Sequence, residues 1–513
     1  MTWHPRAMAS ASGCDVAIVG AGTAGCVLAA RLSESGERSV LLLEAGPDYA
    51  SLDALPVDVA NAWMPTRSHD WGFASEPDAL GRTVELPRAR LVGGCSATNA
   101  TFAMRGSPAD FDAWEALGNA GWSFADALPS FKAAERDLDY PEDEWHGRNG
   151  PIPIRRCARD ELGPPHAAAL EAADAIGHPS VADHNRPWAV GAGPAPMNAV
   201  DGVRMSTALT YLAHARDRPN LTIRPDVLVD RVIFRGAKAT GVRLARPSET
   251  VEADTVVLAA GAYGSPAILM RSGIGSPAAL APLGIDVVVD LSGVGEGLAD
   301  HPLLSVDFPA PRLDPPGPRF QAAMTWHSSH ADPAGAPDLF LGSSSAVEVD
   351  ASPTGAGFML LVSVLQPQSR GRVSIPSADP SANPRIELAH LREASDVARF
   401  VEAIQMARRL GRQAPLAALV TGPELSPGPD VAGDDAVALG TFARAAVTTF
   451  HHPAGTCQMG KDPGAGAVVD ARGRVHGLEG LLVADASIMP RIASAPTNLT
   501  TAMIAERIAR WLK

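Results

Sequence analysis

Residues 15–19 form a short apolar run that leads straight into Gly20-Ala21-Gly22-Thr23-Ala24-Gly25, and this junction constrains the fold more than any other part of the chain. After it, Ala24, Val27, Leu28 and Leu32 recur at helical spacing. Gly36 is placed to stop that helix, and residues 39–43 read as a second buried strand ending in Glu44-Ala45-Gly46. Strand, glycine turn, helix and strand in this order predict a βαβ unit carrying a dinucleotide fingerprint. Gly20 permits the tight turn. Gly22 leaves the backbone bare so that a pyrophosphate can approach, and Gly25 lets helix and strand pack closely. The helix N-terminus presents free N–H groups and a partial positive charge to the phosphates. Glu44, followed by Ala45, offers a carboxylate to ribose hydroxyls, and the additional phosphate of NADP would meet that same acid. The motif does not separate FAD from NAD. The competing interpretation is an ordinary glycine-rich turn with Glu44 at the surface.

The chain has 513 residues, 46% hydrophobic and 19% charged, which suits a folded globular protein able to bury a core without disulfides or metal. At roughly 150 residues per domain this length suggests about three domains. The formal net charge is −14 and no basic run stands out, which argues against nucleic acid or an anionic membrane surface as partner. Cys14, Cys26, Cys95, Cys157 and Cys457 are an odd, scattered set. That is neither a disulfide framework nor a metal site, so a reducing, cytoplasmic setting is expected. The first dozen residues have no apolar signal core and are expected to be a loose extension. No run of about 18 apolar residues occurs, so no membrane span is expected.

Three further segments stand out: ARLVGGCSATNATFAMRG (89–106), GAYGSPAILMRSGIG (261–275), and the C-terminal stretch from HHPAGTCQMG to ADASIMPRIASAPTNLTTAMIAERIARWLK. Linking phrases GVRMSTALTYL, GVGEGLADHP and SRGRVSIPSADPSANPRIE lie between them. Together with the glycine turn, they resemble the glucose–methanol–choline family of FAD oxidoreductases, in the family's order and over essentially the whole chain. The resemblance implies FAD as cofactor. It lays the loop Val92-Gly93-Gly94-Cys95-Ser96 along the flavin, with Asn99 beside the isoalloxazine ring and Ala100 next to it. Read from residues alone, the loop brings bare backbone close to a ring or phosphate, or is a plain turn with Asn99 bonding local backbone. Cys95 stands where the family often has Ser, and a small half-buried thiol is its expected role. Thr98 occupies the position that some members fill with a flavin-linked histidine, so the FAD is expected to be non-covalent.

The resemblance also implies several supporting positions. In the second segment, Gly261 and Gly264 form a close turn beside Ala260, and Ser265-Pro266 is expected to open a helix. Val229 matches a position whose backbone meets the adenine. Asp485-Ala486 ends a strand at 480–484 and is placed near the phosphate and ribityl chain. Trp71 matches a position near the flavin, or else belongs to the core.

Oxidising an alcohol by hydride transfer needs a base for the hydroxyl proton, and histidine suits that task near neutral pH. His451 and His452 precede Pro453 after the apolar stretch 447–450. Extended backbone would turn them to opposite faces, so one is expected to face the flavin. The resemblance selects His452, leaving His451 to packing. Asn498, Leu499 and Thr500 are expected to bind the cofactor, and Asn498 also matches a position that binds the substrate oxygen. As a residue just before the final helix it also suits an N-cap. The expected reaction is oxidation of a small primary alcohol, aryl and furanic ones included, to the aldehyde, with oxygen or another carrier as electron acceptor. Same-fold lyase or photodecarboxylase chemistry, or flavin binding without turnover, are the rivals. An NAD dehydrogenase would leave the additional motifs without a role.

The expected architecture is α/β. A discontinuous Rossmann-like FAD-binding domain comprises 13–106, 204–300 and 447–513. Residues 107–203 form a connecting or lid insertion, and 301–446 an α+β substrate domain with a mixed or antiparallel sheet. Strand-like runs in the latter lie at 305–308, 336–342 and 358–366, and the Pro-rich 309–319 reads as a surface loop over the site.

Overall fold

The computed structural model of the protein describes residues 13–312, 319–345, 347, 348, 350, 352–431 and 433–513. Its apolar runs are short and nearly continuous because both faces of the strands they form are covered. In the first seven-stranded sheet the order is Leu221–Arg224, Val40–Leu43, Cys14–Val19, Thr250–Leu258, Lys238–Arg246, Leu228–Arg235, with Leu481–Val483 also pairing with Thr250–Leu258. The strands nearest the glycine turn pair in parallel, and the 228–258 meander is antiparallel. The helix Thr23–Leu32 packs against the final helix Thr497–Leu512, which packs in turn on Phe124–Ala134. Every residue of Thr23–Leu32 except Arg31 is buried, so the helix has no solvent face to mark its periodicity. It ends at Leu32, capped by Ser33, whose hydroxyl donates to the Ala29 carbonyl at 2.7 Å. Gly36 lies in the following turn and is not the stop itself.

The second seven-stranded sheet runs Thr448–Thr449, Pro302–Pro309, Ala356–Val364, Leu339–Ser344, Phe320–Trp326, Ala192–Pro194, with Val347–Glu348 also pairing with Ala356–Val364, and these pairings are all antiparallel. Alternation sorts its side chains. Leu339, Leu341, Phe358, Leu360 and Val362 pack under the helices Ala394–Gly411 and Pro164–Ala175. Phe340 and Leu361 point the other way, into a cluster with Phe102, Met104, Met197, Phe320 and Leu365. The strand Phe320–Trp326 had no counterpart among the expected runs, since FQAAMTW has no Val, Ile or Leu and is interrupted by Gln321 and Thr325.

Several expectations are revised by packing. The 107–203 insertion contributes to both layers: Phe124–Ala134 packs on the final helix while Ala192–Pro194 extends the second sheet. Its buried Glu135, Asp137 and Asp183 meet Arg105, Arg156 and His146, three carboxylates against three cations. His146 donates from both ring nitrogens, and these acids hold its pKa up near 10 against burial. The helix after Thr250–Leu258 begins at Gly261, not at Ser265, so Pro266 lies inside it. Pro266 has no N–H for the Ala262 carbonyl, and that carbonyl takes the Thr456 hydroxyl instead, at 2.7 Å. Residues 313–318 of the expected lid loop, and the N-terminal extension 1–12, lie outside the described residues. Among the described residues no helix is long and apolar enough to cross a membrane.

Candidate active site

The glycine turn is built as its spacing requires. Gly20 has φ +95°, and a Cβ there would lie 2.7 Å from the Ala259 carbonyl oxygen of the neighbouring strand. A Cβ on Gly25 would lie 1.9 Å from the Gly20 oxygen, so helix and strand touch backbone to backbone. Gly22 differs: its Cβ would meet nothing nearer than the Gly94 Cα at 4.0 Å. The Val92–Ser96 loop closes on this turn, with the Gly93 N–H donating to the Ala21 carbonyl at 2.8 Å. Glu44 sits beneath, accepting from the N–H groups of Ala21 and Gly46, each at 2.9 Å. Burial pushes its carboxyl up to about 7 against those hydrogen bonds.

A second helix N-terminus joins this cradle. Thr497–Leu512 starts after Pro496, so Asn498 is inside the first turn and is not its N-cap. The Asn498 Oδ1 accepts from the Thr23 hydroxyl at 2.6 Å. The structure thus brings Asn498 to the glycine turn, and among the described residues it makes no hydrogen bond to His452. Leu499 and Thr500 follow it, buried. The open side of Gly22 and the first N–H groups of two helices, which have no intrahelical acceptor, suit the phosphates of a dinucleotide. A Cβ on Gly261 would likewise meet nothing within 4 Å.

The remaining expected ligands are distributed as follows. Asp485 is buried, and its carboxylate accepts from the Gly261 N–H at 2.9 Å and the Ser265 hydroxyl at 2.6 Å, so it ties strand end to helix start beside Ala260 and Ala486. The Ser96 hydroxyl is used within the protein, donating to Gly93 O and accepting from the Thr207 N–H. Asn99 Oδ1 accepts from the Thr101 N–H at 3.0 Å, a local bond, and Ala100 packs half-buried on the Phe102 cluster. Val229 is buried in Leu228–Arg235. Trp71 is half-buried, not core, stacked on Phe73 with Arg90 over its ring. Thr98 and Cys95 are half-buried and Cys95 is a free thiol.

His452 is held by two adjacent residues that the sequence reading passed over. Its N–H donates to Asp300 Oδ1 at 2.8 Å, and its Nδ1 lies 2.9 Å from Nδ1 of His301 with the rings at 88°. Asp300 also accepts from the Thr449 hydroxyl, and the nearby His390, Thr449 and His452 hold its carboxyl well below the ordinary range. The segment carrying Asp300 and His301 pairs with the one carrying His452 through reciprocal Ala299–Ala454 bonds and the Phe450 N–H to His301 O. An Asp-His pair closing the Gly-rich phrase at 293–302 was the available signal, and the expected boundary after residue 300 cut through it. His451 is not extended: its φ is +65°, so a left-handed turn, and not strand alternation, separates the two rings. His451 is exposed while His452 is half-buried, its ring 4.5 Å from Phe450 and so next to the Phe102–Phe340 cluster. Burial, and then the neighbouring His301, lower the His452 pKa well below that of a free histidine. It is therefore neutral and proton-accepting at neutral pH.

Comparison with known proteins identifies the family. Family models described as GMC oxidoreductase match residues 14–303 and 367–505. The 5-(hydroxymethyl)furfural oxidase of Methylovorus sp. is 37% identical over 525 residues, covering 96% of this chain and 98% of that protein. An oxygen-dependent choline dehydrogenase of Burkholderia ambifaria is 36% identical over 539 residues, covering 96% and 92%. The crystal structure of pyridoxine 4-oxidase from Mesorbium loti superposes with a TM-score of 0.89 at 36% identity, covering 97% of this chain and 99% of that one.

Proposed function

The chain belongs to the glucose–methanol–choline oxidoreductase family and is an FAD-dependent oxidoreductase acting on CH–OH donors, and from that premise we propose that it oxidises a small primary alcohol, aryl or furanic, to the aldehyde. The observation that carries this reading is His452: a neutral imidazole fixed at backbone and ring, next to an apolar aromatic wall. Phe102, Phe320, Phe340 and Phe450 suit a flat apolar body carrying one hydroxyl. Two of the relatives are named for 5-(hydroxymethyl)furfural and pyridoxine.

In this reading FAD, when bound, supplies the acceptor for the carbon-bound hydride. His452 accepts the hydroxyl proton, which a free alcohol gives up only to a base within hydrogen-bond reach. Asp300 holds the main chain of that base, and its carboxylate favours the imidazolium once formed. The aromatic wall excludes water. Gly22, Gly93, Gly94 and Asn498 line the phosphate cradle, Asn99 and Ala100 lie on the loop beside it, and Val229 and Glu44 sit toward the second strand. FAD is held without a covalent bond, since Thr98 has no ring nitrogen to offer.

Asn498 belongs to the cofactor in this assignment, not to proton transfer. Asn498→Ala should weaken FAD binding by about tenfold, one polar contact's worth, while flavin that stays bound is reduced at close to the wild-type rate. Loss of reduction with full FAD content would return Asn498 to the reacting centre.

The function is tested by anaerobic visible spectra during titration with benzylic, furanic and aliphatic primary alcohols and choline. Bleaching with the first two, and release of FAD on acid precipitation, is the expected outcome. Bleaching with choline alone, or with no alcohol, overturns the substrate class. Admitting air to the reduced protein then tests oxygen as acceptor.

A further inference from the structure

We propose that His301 is a positioning residue that selects the tautomer of His452, leaving Nε2 of His452 as the bare nitrogen that meets the substrate hydroxyl. The inference rests on His452 being the base and deepens that reading. It starts from an atom with no choice of role. The Leu365 carbonyl can only accept, and His301 Nε2 lies 3.0 Å from it, so that nitrogen carries a proton. His301 is fully buried, and burial lowers its pKa to about 4, so the ring is neutral and its other nitrogen, Nδ1, holds a lone pair.

The next bond follows. His301 Nδ1 and His452 Nδ1 are 2.9 Å apart, which requires one proton between them. His301 has none to give there, so His452 donates it. A neutral imidazole with its proton on Nδ1 is bare at Nε2. Among the described residues no protein group hydrogen-bonds His452 Nε2. The opposite tautomer would set two lone pairs face to face at 2.9 Å, or would strip the buried Leu365 carbonyl of its donor.

Both ends of this relay are rigid. The Leu365 N–H donates to the Asp338 carbonyl at 2.7 Å at the close of the Leu339–Ser344 and Ala356–Val364 pair, and the His301 carbonyl accepts from the Phe450 N–H at 2.9 Å. When His452 takes the substrate proton, its Nδ1–H stays on His301 and the bond becomes charge-assisted, so the same contact supports the imidazolium. A backbone carbonyl just past the strand Ala356–Val364 thus decides which nitrogen faces the alcohol.

Neutron diffraction of holoenzyme crystals tests the proton order directly. The expected result is a proton on Nδ1 of His452 and on Nε2 of His301, with Nε2 of His452 bare. A proton on Nε2 of His452 with Nδ1 bare overturns the proposal. Kinetics give the second measurement. His301→Met removes the acceptor and should slow anaerobic flavin reduction by roughly 10²–10⁴, the range between losing a general base and holding a catalytic imidazole in the wrong tautomer, with substrate affinity little changed. His301→Gln offers an amide oxygen to His452 and an amide N–H to Leu365, and should restore most of the lost rate. If His301→Met reduces its flavin normally while His452→Ala does not, only this proposal falls. If His452→Ala also reduces normally, the base assignment falls and takes this one with it. Should His301→Met not fold, the neutron result alone decides.

Discussion

Flavin bound to the His452→Ala variant is expected to be reduced by alcohol roughly 10²–10⁴ times more slowly than in the wild type, the usual contribution of a positioned general base, while FAD content is unchanged. The two outcomes separate because the two sets of contacts are separate. The cradle is made by Gly20, Gly22 and Gly25, by Glu44 on the Ala21 and Gly46 N–H groups, and by Asn498 on Thr23, and none of these bonds involves His452. Among the described residues the His452 ring hydrogen-bonds only to His301. The wild-type pH profile follows from the same geometry. A base works only when neutral, and burial with the adjacent His301 holds the His452 pKa well below its ordinary 6.5. The reduction rate should therefore stay level as pH falls through 6.5 and drop only below it. Stability behaves differently. His301 binds its proton near 6.5 when unfolded and near 4 when folded, so its contribution is complete above 6.5 and declines as pH falls toward 4. An acid limb at or above 6.5 in the reduction rate, or normal reduction in His452→Ala, would remove His452 from the role of base.

The cofactor half of the fold was legible because its constraints are local. A strand, three glycines, a helix and an acid within about one βαβ unit permit few arrangements, and Gly20, Gly25 and Glu44 occupy them. The proposed catalytic centre was legible only in part. His452 could be read from the resemblance, but its partners come from residues 151 and 152 positions earlier, a pairing set by strand Pro302–Pro309 meeting Thr448–Thr449. No periodicity reports such a contact. The contact of Asn498 was hidden for a related reason: its position suggested a cap and the resemblance suggested the substrate oxygen, whereas its partner Thr23 lies 475 positions away on the other helix. Pro266 misled differently. A proline normally marks a helix's first turn, but a hydroxyl from Thr456 compensates the freed carbonyl and lets the helix begin a turn earlier. In each case the missing information was a tertiary partner.

Alanine at Gly22 and at Gly25 should give opposite phenotypes although the two glycines belong to one motif. Gly25 faces protein. A Cβ there would lie 1.9 Å from Gly20 O, 3.0 Å from Gly20 C and 3.4 Å from Leu42, so the helix must move off the strand. Gly25→Ala is expected to lose about 3 kcal/mol, the upper range for overpacking a filled interior, and to melt lower whether or not FAD is present. Gly22 faces the ligand. Its φ of −73° and ψ of −164° are open to alanine, and the added Cβ would meet only the Gly94 Cα at 4.0 Å. Gly22→Ala stripped of cofactor should melt with the stripped wild type. Its FAD affinity should fall by roughly 100-fold, because the methyl takes the space through which a pyrophosphate reaches the helix N-terminus. Thermal melts of both variants with and without FAD, together with cofactor titration, decide the matter. A Gly22→Ala protein that binds FAD normally would show that the phosphates lie elsewhere. One that melts low without FAD would show that Gly22 serves packing after all, and then the open side of the turn would no longer identify where the cofactor rests.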